Sequence, residues 1–124
     1  MKTSLQMFGM GFLLVMFATT AALAHALLDH AQPKVGSTVS KEPTEIKLWF
    51  SQKVEPAFSA IEVLDANGKQ IDKKDSHVDG HDKTLLIVSV PSLAAGEYRV
   101  QWHVVSADTH KTKGDFKFQV RPKG

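Results

Sequence analysis

Apolar residues along much of this chain recur at every second position, the repeat of a strand with one buried face rather than the 3.6-residue repeat of a helix. Ile46, Leu48 and Phe50 alternate with Lys47 and Trp49. Tyr98, Val100, Trp102 and Val104 alternate with Arg99, Gln101 and His103, and Phe116, Phe118 and Val120 alternate with Lys117 and Gln119. Each run predicts a strand that turns one face to a core. Residues 61–64 and 85–90 are shorter apolar or β-branched runs, as strands prefer. Asn67-Gly68, between Leu64 and Ile71, is a hairpin signal, because the favoured two-residue turn needs positive φ at its central positions. Pro33, Pro43, Pro56 and Pro91 punctuate the loops, and the charge-dense stretch 72–83 reads as an exposed loop. Six or seven short strands with no convincing helix predict a two-sheet antiparallel sandwich or closed barrel, usually with Greek-key connections.

The first segment breaks this pattern. It opens on Lys2, runs through an apolar stretch at 8–23 and ends in Ala22-Leu23-Ala24, the three parts of a secretory signal peptide. A retained membrane anchor is the competing reading, but the stretch is shorter than the roughly 20 apolar residues of a span, and a small-x-small cleavage site follows it. The expected organisation is therefore a signal peptide at 1–24 and one domain at 25–124. Cleavage after Ala24 makes His25 the first residue of the exported protein. Its imidazole and a free backbone amine then sit on the same residue.

Composition narrows the chemistry. All four methionines (Met1, Met7, Met10, Met16) belong to the leader and there is no cysteine, so the exported domain has no sulfur ligand and no disulfide. Loss of Lys2 from the 15 Lys and Arg leaves 14 against 13 Asp and Glu. The basic residues are scattered and no aromatic ladder interleaves with them, which argues against a nucleic-acid partner.

Six histidines follow the leader: His25, His30, His77, His81, His103 and His110. His103 lies on the polar face of a predicted strand and reads as a surface or packing residue. His77 and His81 are spaced i, i+4, but Val78-Asp79-Gly80 between them reads as loop, which leaves at most a weak secondary site. His30, soon after the new N-terminus, reads first as solvent-facing and second as a residue with a role near the metal. His25 and His110 differ, the first because processing gives it a second donor, the second because it belongs to Asp108-Thr109-His110 at a strand end. In an extended backbone Asp108 and His110 point to the same side. With the amine and ring of His25 they make three nitrogens and one oxygen, a set that suits tetragonal Cu(II) better than tetrahedral zinc. On spacing alone, a polar turn is the simpler reading of 108–110.

The chain also resembles the copper resistance protein C (CopC) family of periplasmic copper carriers. The resemblance rests on His25-Ala26 after Ala-x-Ala, Pro33-x-x-Gly36, Leu48-Trp49-Phe50-Ser51 and Leu93-Ala94-Ala95-Gly96-x-Tyr98-x-Val100-x-Trp102. Its most specific piece is Val104-Val105-Ser106-Ala107-Asp108-Thr109-His110, continuing through Gly114 into Phe116-x-Phe118-x-Val120. The resemblance implies a seven-stranded Greek-key β-barrel or immunoglobulin-like β-sandwich with one Cu(II) per chain at His25, Asp108 and His110. Some members place a Glu just after the Phe-Ser pair, where this chain has Gln52, so a smaller ligand set is implied. Others carry a methionine-rich Cu(I) loop, whereas 65–83 here has no methionine.

The expected function is capture of Cu(II) in the periplasm by a non-enzymatic, monomeric carrier that sequesters the ion or hands it to an inner-membrane copper transport protein. Two other classes share these features. An oxidative copper enzyme with an N-terminal histidine brace has the same histidines and a sandwich fold, but the chain is short and Asp108 would fill a position that oxygen activation needs open. An immunoglobulin-like adhesion module has the fold with incidental histidines, since fold alone does not decide function.

Overall fold

The period-two runs become strands whose inner faces meet. A computed structural model describes residues 26–123; the leader at 1–24 and His25 lie outside the described residues. The strands are β1 (Leu28–Gln32), β2 (Thr38–Val39), β3 (Glu45–Phe50), β4 (Ala60–Leu64), β5 (His77–Val78), β6 (Leu85–Ser89), β7 (Gly96–Val105) and β8 (Lys111–Val120), with one 3₁₀ turn at Pro56–Phe58. They form two four-stranded sheets, ordered β1-β3-β6-β5 and β2-β8-β7-β4. From β1 to β5 successive strands alternate between the sheets, whereas β5-β6 and β7-β8 pair within one sheet, as in an immunoglobulin-like sandwich. The all-β sandwich holds, as two sheets. The described residues show eight strands against the seven expected, two of them, β2 and β5, only two residues long.

Burial follows the alternation. Ile46, Leu48 and Phe50 from β3 meet Val100, Val104, Phe116 and Phe118 from β7 and β8 in one hydrophobic core. Each such side chain contributes roughly 1.5–3 kcal/mol when fully buried, and with no cysteine in the chain these contributions oppose the chain entropy unaided. Tyr98 stacks against Phe118 and donates its hydroxyl to the Ala94 carbonyl at 2.6 Å, which ties the turn before β7 to the sheet. The hairpin expected at Asn67-Gly68 forms, but not as a two-residue turn with positive φ at both positions: only Gly68 is left-handed, and the turn closes from Asp65 to Gly68. Gly68 has φ +82°, its N–H donates to Asp65 O at 3.0 Å, and the Asp65 carboxylate accepts the N–H groups of Asn67 and Lys69.

Two segments depart from the reading of the sequence. The first is β1, whose weak alternation buries only Ala31 fully and so leaves no period-two signal. The second is 72–83, expected as an exposed loop. There Asp72 is buried, accepting the Val63 N–H at 2.8 Å and the Lys74 N–H at 3.0 Å, and His77 and Val78 pair with Ile87 and Leu86. A carboxylate that satisfies two backbone donors is as much part of the fold as an apolar residue, but its charge hides that role in the sequence.

Candidate metal centre

Three segments converge at one end of the sandwich: the start of β1, the connection after β3, and the turn between β7 and β8. The first two are laced by a reciprocal pair of hydrogen bonds. The Leu27 N–H donates to Ser51 Oγ at 2.9 Å and the Ser51 N–H donates to Leu27 O at 2.8 Å. Ala26 is fully buried, and its carbonyl accepts the Thr112 hydroxyl at 2.9 Å, which ties the segment before β1 to β8. The β3 connection is fixed in turn to the end of β7, since Ala107 N–H donates to Lys53 O at 3.0 Å and Glu55 N–H to Val105 O at 2.8 Å.

Asp108 and His110 do not lie on an extended strand. β7 ends at Val105 and β8 begins at Lys111, so both residues sit in the turn between them. Ser106 N–H donates to His110 O at 2.9 Å and Thr109 N–H donates to Ser106 O at 2.8 Å, closing the turn, and Thr109 takes φ +71°. A left-handed β-branched residue is uncommon and is held here by the hydrogen bonds on either side. Strand alternation was thus the wrong reason for the two side chains to share a side. The turn nevertheless brings them together, with His110 Nδ1 3.2 Å from Asp108 Oδ2.

The carboxylate is held at its other oxygen too. Asp108 Oδ1 accepts a short hydrogen bond from Ser106 Oγ and a longer one, 3.3 Å, from the His110 N–H. Ser106 is fully buried, so its hydroxyl is a fixed latch beneath an exposed acid. The Ser106 hydroxyl does most to hold the Asp108 carboxyl below its ordinary value; burial opposes it, and the His110 ring and N–H add to the lowering. The acid is therefore ionised and aimed, while 39% of its side chain and 51% of that of His110 remain open to solvent.

This geometry suits adjacent donors to one ion. Two donors each about 2 Å from an ion and at right angles lie about 2.8 Å apart, so the 3.2 Å pair needs to shift by only a few tenths of an ångström. Among the described residues no group of three or more His, Cys, Asp or Glu side chains could hold a metal. Asp108 and His110 are thus two of the three ligands expected from the sequence; the third, His25, lies outside the described residues.

The other histidines lie elsewhere. His30 pairs in register with Trp49 and stacks on its indole at 4.3 Å between centroids, with Nδ1 2.7 Å from the Asp29 carboxylate. It is exposed but packed, rather than simply solvent-facing. His77 bonds through Nδ1 to the Asp75 carbonyl at 3.0 Å, and His81 follows an Asp79 carboxylate that caps its backbone. His103 is exposed on the outer face of β7, as its position predicts. Sequence reasoning missed Ser106, Ser51 and Thr112. For Ser106 and Thr112 the signal available was a hydroxyl residue close to the candidate ligands in sequence, which reads equally well as ordinary turn composition; Ser51, far from them in the chain, gives none.

By fold and site this is an immunoglobulin-like β-sandwich with an acid and an imidazole presented from one hairpin turn beside the segment that leads into β1. The CopC domain model matches residues 28–121, and the chain belongs to the CopC family. It is 36% identical over 115 residues to Protein YobA of Escherichia coli K12, spanning 92% of this chain and 93% of that protein. The crystal structure of CopC from Methylosinus trichosporium OB3b superposes with a TM-score of 0.76 at 34% identity, covering 81% of this chain and 97% of that one. PcoC, a methionine-rich copper resistance protein from Escherichia coli, superposes with a TM-score of 0.68 at 29% identity, covering 78% and 99%. Family membership ties the chain to copper. It differs from the methionine-rich relative in having no methionine after Met16.

Proposed function

We propose that the exported chain binds one Cu(II) ion through the amine and ring of His25, the Asp108 carboxylate and the His110 ring, and acts in the periplasm as a monomeric, non-enzymatic copper carrier. The observation that carries this reading is the latched Asp108–His110 pair. Ala26, which follows His25 directly in the chain, is buried and tied to Thr112, two residues beyond His110. Three nitrogens and one carboxylate oxygen favour Cu(II), which heads the divalent affinity order and accepts tetragonal N,O coordination. The absence of cysteine and of methionine after residue 16 supports the cupric over the cuprous ion.

Stoichiometric capture asks little of the rest of the domain beyond rigidity. The sandwich supplies it by fixing the turn to the β3 connection, so that little ordering entropy remains to oppose binding. The chain then sequesters the ion or passes it to an inner-membrane copper transport protein. Binding requires loss of a proton from the amine, whose ordinary pKa is about 8, and neutral imidazoles, ordinarily near 6.5. Affinity therefore falls as pH drops from 8 toward 5.

The test is a competition titration against a Cu(II) chelator, comparing the processed protein with a variant carrying one alanine before His25. The extra residue converts the amine into a peptide nitrogen while leaving every described contact in place. At least a hundredfold loss of affinity is expected; equal affinity would refute the assignment.

A further inference from the structure

Beside the candidate centre, on the outer face of the β7–β8 sheet, lies a groove of about 860 Å³ whose lining includes Phe58, His103, Val105, Thr109, Lys111 and Lys113. Phe58 forms one wall and is 64% exposed, the most exposed of the large apolar side chains described. It is presented rather than loose. The 3₁₀ turn that carries it is closed by Phe58 N–H on Glu55 O at 3.2 Å, and both flanks are fastened to β7, through Glu55 N–H on Val105 O and Val105 N–H on Ser59 Oγ. A fixed, solvent-facing aromatic at a concave apolar surface is the usual anchor of a protein interface.

The charges of the groove are of one sign. His103, Lys111 and Lys113 are its titratable lining residues, and no Asp or Glu lines it. Further along the same outer face the cations are neutralised, Arg99 by Asp115 and Lys117 by Glu97 at 3.5 Å. Among the described residues Lys111 and Lys113 have no such ion pair. The neighbouring depression, which shares His103 and Lys113, contains Glu62 and Asp115, and Asp115 is engaged by Arg99. Unpaired cations are thus concentrated at the end of the sheet next to Asp108 and His110, with Thr109 and Lys111 flanking His110 on either side.

We propose that this groove is the docking site for an acidic segment, bearing at least one apolar side chain, of the protein that exchanges metal with this chain. Carboxylates of the segment pair with Lys111 and Lys113, and its apolar side chain packs on Phe58 and Val105. A segment seated there runs alongside the 106–110 turn, so docking and metal transfer share one end of the molecule. The purpose assigned to the groove rests on the carrier reading, but the docking itself does not. The concave shape fits a chain segment better than a flat bilayer.

The test uses ¹⁵N-labelled protein expressed with its own leader, titrated at low ionic strength with the peptide acetyl-Glu-Asp-Leu-Glu-Asp-amide. Its lysine counterpart and phosphatidylglycerol vesicles serve as controls. Saturable amide shifts centred on Phe58, His103, Val105, Lys111 and Lys113 are expected. They should weaken at least tenfold in the double variant Phe58→Ser, Lys113→Glu and fade at 0.5 M salt as the charges are screened. That variant is expected to keep wild-type Cu(II) affinity, which separates loss of docking from loss of the metal site. Docking with no Cu(II) uptake by the wild-type protein would leave the groove assignment standing and remove the carrier reading. Absent binding, shifts centred elsewhere, binding to vesicles alone, or groove shifts that follow protein concentration without peptide would overturn it.

Discussion

The turn between β7 and β8 and the connection between β4 and β6 carry the same short pattern, an aspartate two residues before a histidine, and put it to different uses. The pattern occurs as Asp75-Ser76-His77, Asp79-Gly80-His81 and Asp108-Thr109-His110. In the first, the carboxylate accepts the Ser89 N–H at 2.8 Å and the imidazole turns to the Asp75 carbonyl. In the second, one carboxylate oxygen accepts the N–H groups of both His81 and Asp82 at 2.9 Å. Asp79 is spent on the backbone, and Asp75 on the side chain and backbone of Ser89. In the third, the buried Ser106 hydroxyl and the left-handed Thr109 turn the carboxylate toward the imidazole, leaving an acid and a ring nitrogen side by side. Spacing alone therefore does not make a donor pair; what the carboxylate is already holding decides it.

Breaking each pattern in turn measures that difference, and the largest effect is on copper. Asp108→Ala or His110→Ala is expected to lower Cu(II) affinity at least a hundredfold, about 2.7 kcal/mol, whereas His77→Ala and His81→Ala stay within twofold. Competition titration of the four variants reads this directly. Next comes packing. A Cβ on Gly114 would stand 2.5 Å from the Trp102 indole that covers it, while one on Gly80, inside the second pattern, would meet nothing within 4 Å. Gly114→Ala should cost about 1–3 kcal/mol in denaturant unfolding and Gly80→Ala less than about 0.5 kcal/mol.

Ser106→Ala tests the latch. Without the hydroxyl the Asp108 carboxyl should titrate closer to the ordinary aspartate value, and Cu(II) affinity should fall about tenfold, the size expected when a group that orients a ligand is removed. Carboxyl NMR titration alongside the copper competition checks both. Thr109→Gly relieves a β-branched side chain from the left-handed region but loosens the unfolded chain. A net gain of up to about 1 kcal/mol in thermal unfolding is expected, with copper binding unchanged.

The smallest contrast is acid stability without metal. Asp108 is held below its ordinary value chiefly by the Ser106 hydroxyl, Asp75 chiefly by Ser89, and Asp79 chiefly by the His81 N–H. In each case the folded carboxylate keeps its charge to lower pH than the unfolded one. Its small contribution is thus present above about pH 4 and is lost as pH falls through the folded value. Acid unfolding of Asp108→Asn and Asp75→Asn should therefore look alike, and only metal should tell the two apart.

Most of the sandwich was legible because β3, β7 and β8 each bury one face and so write period two into the sequence. β1, β2 and β5 were not. The first hides a single residue completely and the other two are too short to show any period. The metal candidates Asp108 and His110 were legible by residue type, but the reason they meet was not. A threonine gives no hint of positive φ, and the Ser106 hydroxyl looks like any polar turn residue until its burial is known. The lacing of Leu27 to Ser51 and of Ala26 to Thr112 joins residues far apart in the chain, which no local pattern encodes.

The central claim, that the latched turn and the processed start of the chain together hold one cupric ion, is tested most directly by electron paramagnetic resonance of the Cu(II)-loaded protein with ¹⁴N and with ¹⁵N labelling. Superhyperfine structure from three nitrogens, reduced to two in His110→Ala, is the predicted result. A spectrum that His110→Ala leaves unchanged, or one without nitrogen couplings, would contradict it.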